Sequence, residues 1–327
     1  MRRINSDISV VIPTCSEERW EDLVKAIESV RRQTLLPREI IVVVDHNPGL
    51  LKRIQQHQLD VTVVENRFLP GASGSRNSGV GVSSAPIVAF LDDDAEAMPD
   101  WLEQLRVGFI DEAVIGVGGT IEPNWLHGRP WWFPDEFGWV VGGSSLVMPS
   151  IRAPVRNLWS GNMSVRRDVF ENVGGFRDDF GKTGSRSRPE DTEFCIRVLQ
   201  MWPHRTWLFE PLARVRHSVP KQRARVRYFL TRCFLEGVGK AELTRLVGFQ
   251  YGMLAERKYT MQTIPAGIVA GLVAMLTRRD IAGFGRVAAI GLGFSLAALG
   301  YLRGISTIGI AHEMVGTRGR IPEKRIA

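Results

Sequence analysis

Ile87-Val88-Ala89-Phe90-Leu91-Asp92-Asp93-Asp94 is five apolar residues running straight into three acids. An unbroken apolar run of that length reads as a strand buried on both faces, the habit of a parallel sheet. Three adjacent carboxylates repel one another, so a cation is needed to make the strand end comfortable. Hard divalent ions take carboxylate oxygens and leave positions for water and phosphates. In open α/β sheets, ligands bind beyond the carboxyl ends of strands. The stretch therefore reads as a metal and diphosphate site at a strand end. A solvated acidic turn before the helix signal Met98-Pro99-Asp100-Trp101 is the plain alternative.

The segments before it decide between the two. Ile8-Ser9-Val10-Val11-Ile12 is a strand that reaches a turn at Pro13-Thr14. Trp20, Leu23, Val24, Ile27 and Val30 then recur at helical spacing. Glu39 to Asp45 is a second buried strand ending in an acid, followed by turn chemistry at Asn47-Pro48-Gly49. Val61 to Glu65 is a third strand, and the Gly/Ser-rich stretch Gly71 to Gly79 precedes the fourth. Strands alternating with helical segments predict βαβ units and a parallel sheet. Thr14, Asp45 and Asp92–Asp94 all fall at strand carboxyl ends, and three polar ends on one edge imply a crevice. No phosphate-binding GxxxxGK[ST] loop occurs, and Gly79-Val80-Gly81 comes too late for a dinucleotide fingerprint.

These pieces resemble, in order, the family 2 glycosyltransferases of GT-A fold. The resemblance rests on Val11-Ile12-Pro13-Thr14, the strand ending in Asp45, Gly71…Arg76-Asn77-Ser78-Gly79 and Phe90 to Asp94. It continues through Ser160-Gly161-Asn162-Met163-Ser164, Gly174-Gly175-Phe176 and Pro189-Glu190-Asp191-Thr192-Glu193. It spans about residues 8–217 and implies an α/β GT-A domain, a nucleotide-sugar donor, a divalent cation (Mn or Mg) and inversion at the anomeric carbon. By the same resemblance Pro13, Thr14 and Asp45 hold the base of a UDP-sugar, and Arg76 lies near the ribose-phosphate. Asp92, Asp93 and Asn162 fall on the donor side, Asp94 and His217 bind the metal, and Asp191 or Glu190 is the general base. Where relatives commonly carry a second acid and Gly-Ser after the second strand, this chain reads Asp45-His46-Asn47-Pro48-Gly49. That turn, with Glu236-Gly237…Lys240-Ala241, is similar to enzymes that extend polyprenyl- or dolichyl-phosphate-linked sugars, glucuronosyltransferases among them. Glu190 and Asp191 also suit the first turn of a helix, which favours acids. The polar loop 177–189 is a candidate lid, with a plain solvated loop as the alternative, and the aromatic stretch Trp125 to Trp139 is a candidate acceptor wall, with core and membrane-interface roles open to the same residues.

The chain has 327 residues, 44% of them hydrophobic, with 42 Lys and Arg against 35 acids for a net charge of +7. Within 221–258 nine basic residues face three acids, Glu236, Glu242 and Glu256. Such a cluster favours an anionic membrane surface, and no base-reading motif supports nucleic acid. Cys15, Cys195 and Cys233 are scattered without a CxxC, so neither a disulfide framework nor a zinc site is supported. The first residues lack the apolar core of a signal peptide, so a reducing cytosolic setting is expected. Tyr259 to Thr277 and Val287 to Leu302 carry no charge, with Arg278 and Arg279 between them. A spanning helix needs about 20 apolar residues, and two spans would put those arginines outside, against the positive-inside tendency. A hairpin dipping into the cytoplasmic leaflet is therefore expected, with a buried helical pair as the alternative. The expected layout is a catalytic domain at 1–220, a basic amphipathic segment at 221–258 and a hydrophobic hairpin with a basic tail at 259–327. The chain reads as a metal-dependent enzyme at the cytoplasmic face of the membrane, acting on a lipid-linked or other glycan acceptor. A nucleotidyltransferase, or a non-catalytic sugar-nucleotide binder, is the competing class.

Overall fold

The computed structural model describes residues 6–318 apart from 145, 147, 184, 185, 253, 279 and 280. Its first part alternates strand and helix: β1 (Ile8–Thr14), α1 (Trp20–Arg31), β2 (Glu39–Val44), α2 (Pro48–Gln56), β3 (Thr62–Glu65), α3 (Ala72–Val82) and β4 (Ile87–Leu91). β5 (Ala95–Ala97), α4 (Trp101–Val107), β6 (Val114–Trp125), β7 (Ala153–Val155), β8 (Asn162–Arg166) and α5 (Arg167–Val173) follow. Next come β9 (Lys182–Thr183), β10 (Arg186–Ser187), α6 (Glu190–Met201) and β11 (Thr206–Val219). The C-terminal part holds α7 (Val226–Val247), the short α8 (Phe249–Gly252) and α9 (Leu254–Lys258), a π-helical stretch Tyr259–Thr263, α10 (Ile264–Arg278) and α11 (Ile281–Arg318).

The main sheet runs β3-β2-β1-β4-β8-β6-β11-β5, with β7 also paired to β11. β3, β2, β1 and β4 are parallel neighbours, while β8 lies antiparallel between β4 and β6. From β1 the chain steps outward to β2 and β3, then returns to place β4 on the other side of β1. That reversal opens a crevice at the carboxyl ends of β1 and β4, where ligands of such sheets bind. Val10, Val11, Ile12, Val42, Val43, Ala89 and Phe90 are fully buried, as apolar runs covered on both faces require. α3 crosses this sheet closely: a Cβ on Gly79 would lie 2.4 Å from Val11 Cγ1. The glycine is what lets the helix sit on the two strands.

Asn47-Pro48-Gly49 opens a helix where a turn was expected. The Asn47 side chain accepts from the Leu50 N–H at 3.0 Å, and Pro48 fills the first helical position. Both are helix-start devices as much as turn devices. β11 runs past Glu210 to Val219 through a register shift between Glu210 and Arg214.

The C-terminal helices contact the catalytic sheet's aromatic flank. Phe133, Phe137, Phe229, Cys233, Ile264 and Ile290 form one buried cluster. Phe133 and Phe137 stack edgewise or tilted on Phe229, so much of the expected acceptor wall is core. α7 is not a free amphipathic helix. Its Gly237 lies against α11, where an added Cβ would approach Ala297 O within 2.0 Å, and Gly300 of α11 approaches Phe234 O equally closely. α10 and α11 meet at Gly271 and Gly283. The outer faces stay apolar and open, with Leu276 75%, Ile281 76% and Phe284 63% exposed. Glu256–Thr277 and Ile281–Ser306 are long and apolar enough to cross a membrane by length and composition, and they are only 17% and 28% buried. The same helices bury Ile264, Ala289 and Ile290 in the shared cluster, so the pair packs on the rest of the chain and also presents an open apolar face. Residues 319–327 of the expected tail lie outside the described residues.

Candidate active site

Three strand ends build the site. β1 brings Thr14, whose hydroxyl donates to Asp93 Oδ2 at 2.8 Å. β4 brings Asp92 and Asp93. β11 pairs antiparallel with β5, His217 opposite Ala95, and the Ser218 N–H donates to Asp94 O at 2.8 Å. That pairing delivers His217 Nε2 to Asp94 Oδ1 at 3.1 Å across a long sequence gap.

Asp92, Asp94 and His217 offer ligand atoms within 4.8 Å of one another. Among the described residues, the buried His217 Nδ1 has no hydrogen-bond partner. Two carboxylates and an imidazole suit a Mn²⁺-like divalent ion, so these residues fit the metal the sequence implied. Gly161 makes room for the trio, since a Cβ there would lie 2.7 Å from Asp92 Oδ2. Gly142, at φ +85°, does the same beside the His217 ring.

Burial opposes ionisation of Asp94, yet the hydrogen bond and charge of His217, with Arg223 and Arg19, hold it well below the usual carboxylate range. Arg223 Nη2 stands 3.1 Å from Asp94 Oδ2, and Arg19 Nη1 stands 3.4 Å from the same oxygen. Asp93 is pushed up to about 6 by burial, against the pull of Arg19 at 2.8 Å.

Arg76 joins the acids of β4 to those of α6. Its guanidinium lies 3.0 Å from Asp92 Oδ1 and 3.1 Å from Glu190 Oε1. Glu190 is pushed up to about 7, first by burial and then by the charge of Asp191. Burial also raises Asp191. The Asp191 carboxylate accepts from the Ser160 N–H at 3.3 Å and from the Thr192 N–H at 2.6 Å. Those donors orient it at the start of α6 while leaving lone pairs free for a substrate hydroxyl. Nearby, the Ser73 hydroxyl donates to Phe180 O at 2.9 Å, and Arg188 ion-pairs with Glu242 of α7. The loop 177–189 is thus tied to α3 and α7. Its tip, Gly184 and Ser185, lies outside the described residues.

Asp45 sits at the end of β2, its carboxylate accepting from Asn66 Nδ2 at 2.7 Å and the Gly71 N–H at 2.8 Å. His46, at φ +49°, folds its Nδ1 back to Asp45 Oδ1 at 2.9 Å. Pro13 and Thr14 pair with Val43 and Val44 alongside. Asn162 is placed differently from the donor-side expectation. Its Oδ1 accepts from the Trp101 indole at 2.7 Å, and its Nδ2 donates to Thr120 O at 3.0 Å and Ala213 O at 2.8 Å. That amide, 1% exposed, locks β6, β8 and β11 together behind the site.

Sequence reasoning missed Arg19, Arg223, Ser160 and Gly142 as parts of this centre. Arg223 follows His217 by six residues but was counted with the membrane-facing charges. Lys240 was counted with them too, and it lies 2.6 Å from Glu256 and 3.7 Å from Glu236.

A sheet with its switch point at β1 and β4, and an acid–histidine trio facing a second acid pair, defines a GT-A glycosyltransferase. The sequence profile described as "Glycosyl transferase family 2" matches residues 9–174, and the chain belongs to that family. It is 31% identical over 310 residues to a glucosyl-dolichyl phosphate glucuronosyltransferase of Haloferax volcanii, covering 92% of this chain and 96% of the relative. A second Haloferax volcanii relative, the glycosyltransferase AglE, is 27% identical over 259 residues, covering 74% of this chain and 81% of that one. Among solved structures, a mannosyltransferase of Pyrobaculum calidifontis in complex with GDP-Man and Mn²⁺ superposes with a TM-score of 0.59. It is 18% identical, with 91% of this chain and 88% of that chain covered, and so shares the fold. Nucleotidyl transfer and non-catalytic sensing give way to a glycosyltransferase.

Proposed function

We propose that this glycosyltransferase moves a sugar from a UDP-sugar to a polyprenyl-phosphate-linked saccharide at the cytoplasmic face of a membrane, with inversion. The observation that carries the reading is the Asp92–Asp94–His217 trio facing Asp191 and Glu190, with Arg76 between the two groups. Thr14, the Pro13 backbone and Asp45 line the base end of the crevice. Asp94 and His217, with Asp92, would hold a divalent cation, which when bound neutralises the diphosphate as it leaves. Asp93 and Arg76 flank the ribose and sugar end. Asp191, held by Ser160 and Thr192, takes the proton from the acceptor hydroxyl as general base. Glu190 is the second choice for that role, favoured by its rise to about 7. The likeness to a glucosyl-dolichyl phosphate glucuronosyltransferase over 92% of the chain supports a glucuronosyl or hexosyl donor and a lipid-linked acceptor. The exposed apolar faces of α10 and α11 support a membrane location.

The test is thermal stabilisation of the detergent-purified full chain by a panel of nucleoside diphosphate sugars with Mn²⁺. Candidate donors are then assayed for transfer to polyprenyl-phosphate-linked glucose. A UDP-sugar is expected to stabilise most, and Asp94→Ala to abolish metal-dependent binding and transfer while the fold survives. Full activity in chelator, or in the Asp94→Ala protein, overturns the reading.

A further inference from the structure

Arg19 and Arg223 both reach the trio. Arg19 ends a one-turn 3-10 helix, Glu17–Arg19, just past β1. Arg223 lies in the turn between β11 and α7, its N–H donating to Pro220 O at 2.9 Å. Both guanidiniums meet Asp94 Oδ2, and Arg223 Nη1 also lies 3.3 Å from His217 Nε2. Arg223 therefore touches two of the three groups that would ligate a cation.

We propose that these two arginines form a latch that stands in for the divalent ion on Asp94 and hands over to the donor's diphosphate when the ion binds. The inference rests on the nucleotide-sugar reading above. A guanidinium 3.1 Å from a ligand oxygen and 3.3 Å from a ligand nitrogen shares that space with a cation only at the cost of like-charge contact. One of the two has to leave. The arginines are the ones free to move: their side chains are 35% and 15% exposed, against 4% and 7% for Asp93 and Asp94. They lie on the solvent side of the acids, on short connecting segments, and can turn without unpacking the sheet. A diphosphate offers them what they give up, because the guanidinium fork matches phosphate oxygens as well as carboxylate. At Asp94 the exchange keeps charge paired, the ion taking Asp94 and the arginines the phosphates, while Asp93, 2.8 Å from Arg19, gives up that cation and keeps its bond from the Thr14 hydroxyl. Metal and donor then favour each other's binding, and by linkage the coupling is reciprocal. Neither alone displaces the latch fully, so the empty site resists metal without donor.

The experiment is calorimetric titration of the detergent-purified full chain and of its Arg19→Gln and Arg223→Gln variants. Mn²⁺ is titrated alone, and UDP and GDP are titrated in chelator. The latch predicts that each variant binds Mn²⁺ alone about tenfold tighter, and binds the preferred diphosphate in chelator about tenfold more weakly. Changes of opposite sign in one protein cannot come from a damaged fold. Mn²⁺ affinity that is unchanged or lower in both variants overturns the latch. Failure of both UDP and GDP to bind the native protein, with or without Mn²⁺, overturns the nucleotide-sugar reading instead and removes the diphosphate half of the proposal. Tighter Mn²⁺ binding by the variants would then still support the metal half.

Discussion

Asp191→Asn tests the site at its chemical centre. The change is isosteric and keeps an oxygen for the Thr192 N–H, now 2.6 Å from Asp191 Oδ1. It turns an amide toward the Ser160 N–H, where the carboxylate accepts at 3.3 Å. Losing that one bond costs about 1 kcal/mol, which leaves the fold intact. Loss of a general base lowers turnover at least about 10²-fold with donor binding preserved. The substitution also acts on Glu190. A rise from 4.5 to about 7 corresponds to a penalty on the order of 3 kcal/mol for the charged form, at about 1.4 kcal/mol for each tenfold change in protonation. Burial is its largest cause and the Asp191 charge the next. An acid with a raised folded pKa stabilises the fold fully below its unfolded value, and that contribution is lost as pH rises through the folded value. Native stability from this group therefore falls between pH 4.5 and about 7. In Asp191→Asn the fall is smaller and is complete at lower pH. Denaturant unfolding across that range, together with turnover under saturating donor, measures both effects. Retained turnover in Asp191→Asn, with a dead Glu190→Gln, would show that the base is the other carboxylate. An unchanged pH slope of stability would refute the electrostatic account of the pair.

Gly161→Ala places a Cβ 2.7 Å from Asp92 Oδ2, so Asp92 has to turn away; Mn²⁺ binding weakens several-fold while the melting temperature changes little, and equal Mn²⁺ affinity would remove Asp92 from the site. Trp101→Phe removes the indole donor of Asn162 Oδ1 and leaves a buried acceptor unpaired, which costs about 1–3 kcal/mol, readable as a lower denaturant midpoint. The full chain is expected to float with membranes in high salt and need detergent for release. Leu276→Asp with Phe284→Asp, at positions 75% and 63% exposed, weakens that association, and native-like flotation of the double variant counts against a lipid-facing hairpin. A chain ending at residue 220 loses Arg223, so it binds nucleotide more weakly than the full chain; equal binding would show that the turn after β11 does not support the donor site.

The parallel half of the sheet was legible because its strands are continuous apolar runs, and burial on both faces tolerates nothing else. The acids at the ends of β2 and β4 were legible for the same reason, since a charge closing such a run can only sit at the strand's mouth. Glu190 and Asp191 were marked by their place at a helix start after a polar loop. What the tertiary structure alone decided was which partners these groups meet. Asn162 lies beside site residues in sequence, yet its amide is taken up by Trp101, Thr120 and Ala213, contacts set by how three strands stack. Arg223 looked like one more charge for a lipid surface, and the turn after β11 carries it to Asp94 instead. α7 read as amphipathic, but its Gly237 faces α11, and a close helix crossing is invisible in the spacing of one helix. Local pattern determines an element and its buried face. Pairing between elements far apart in sequence determines which charges meet, and that depends on the whole packed chain.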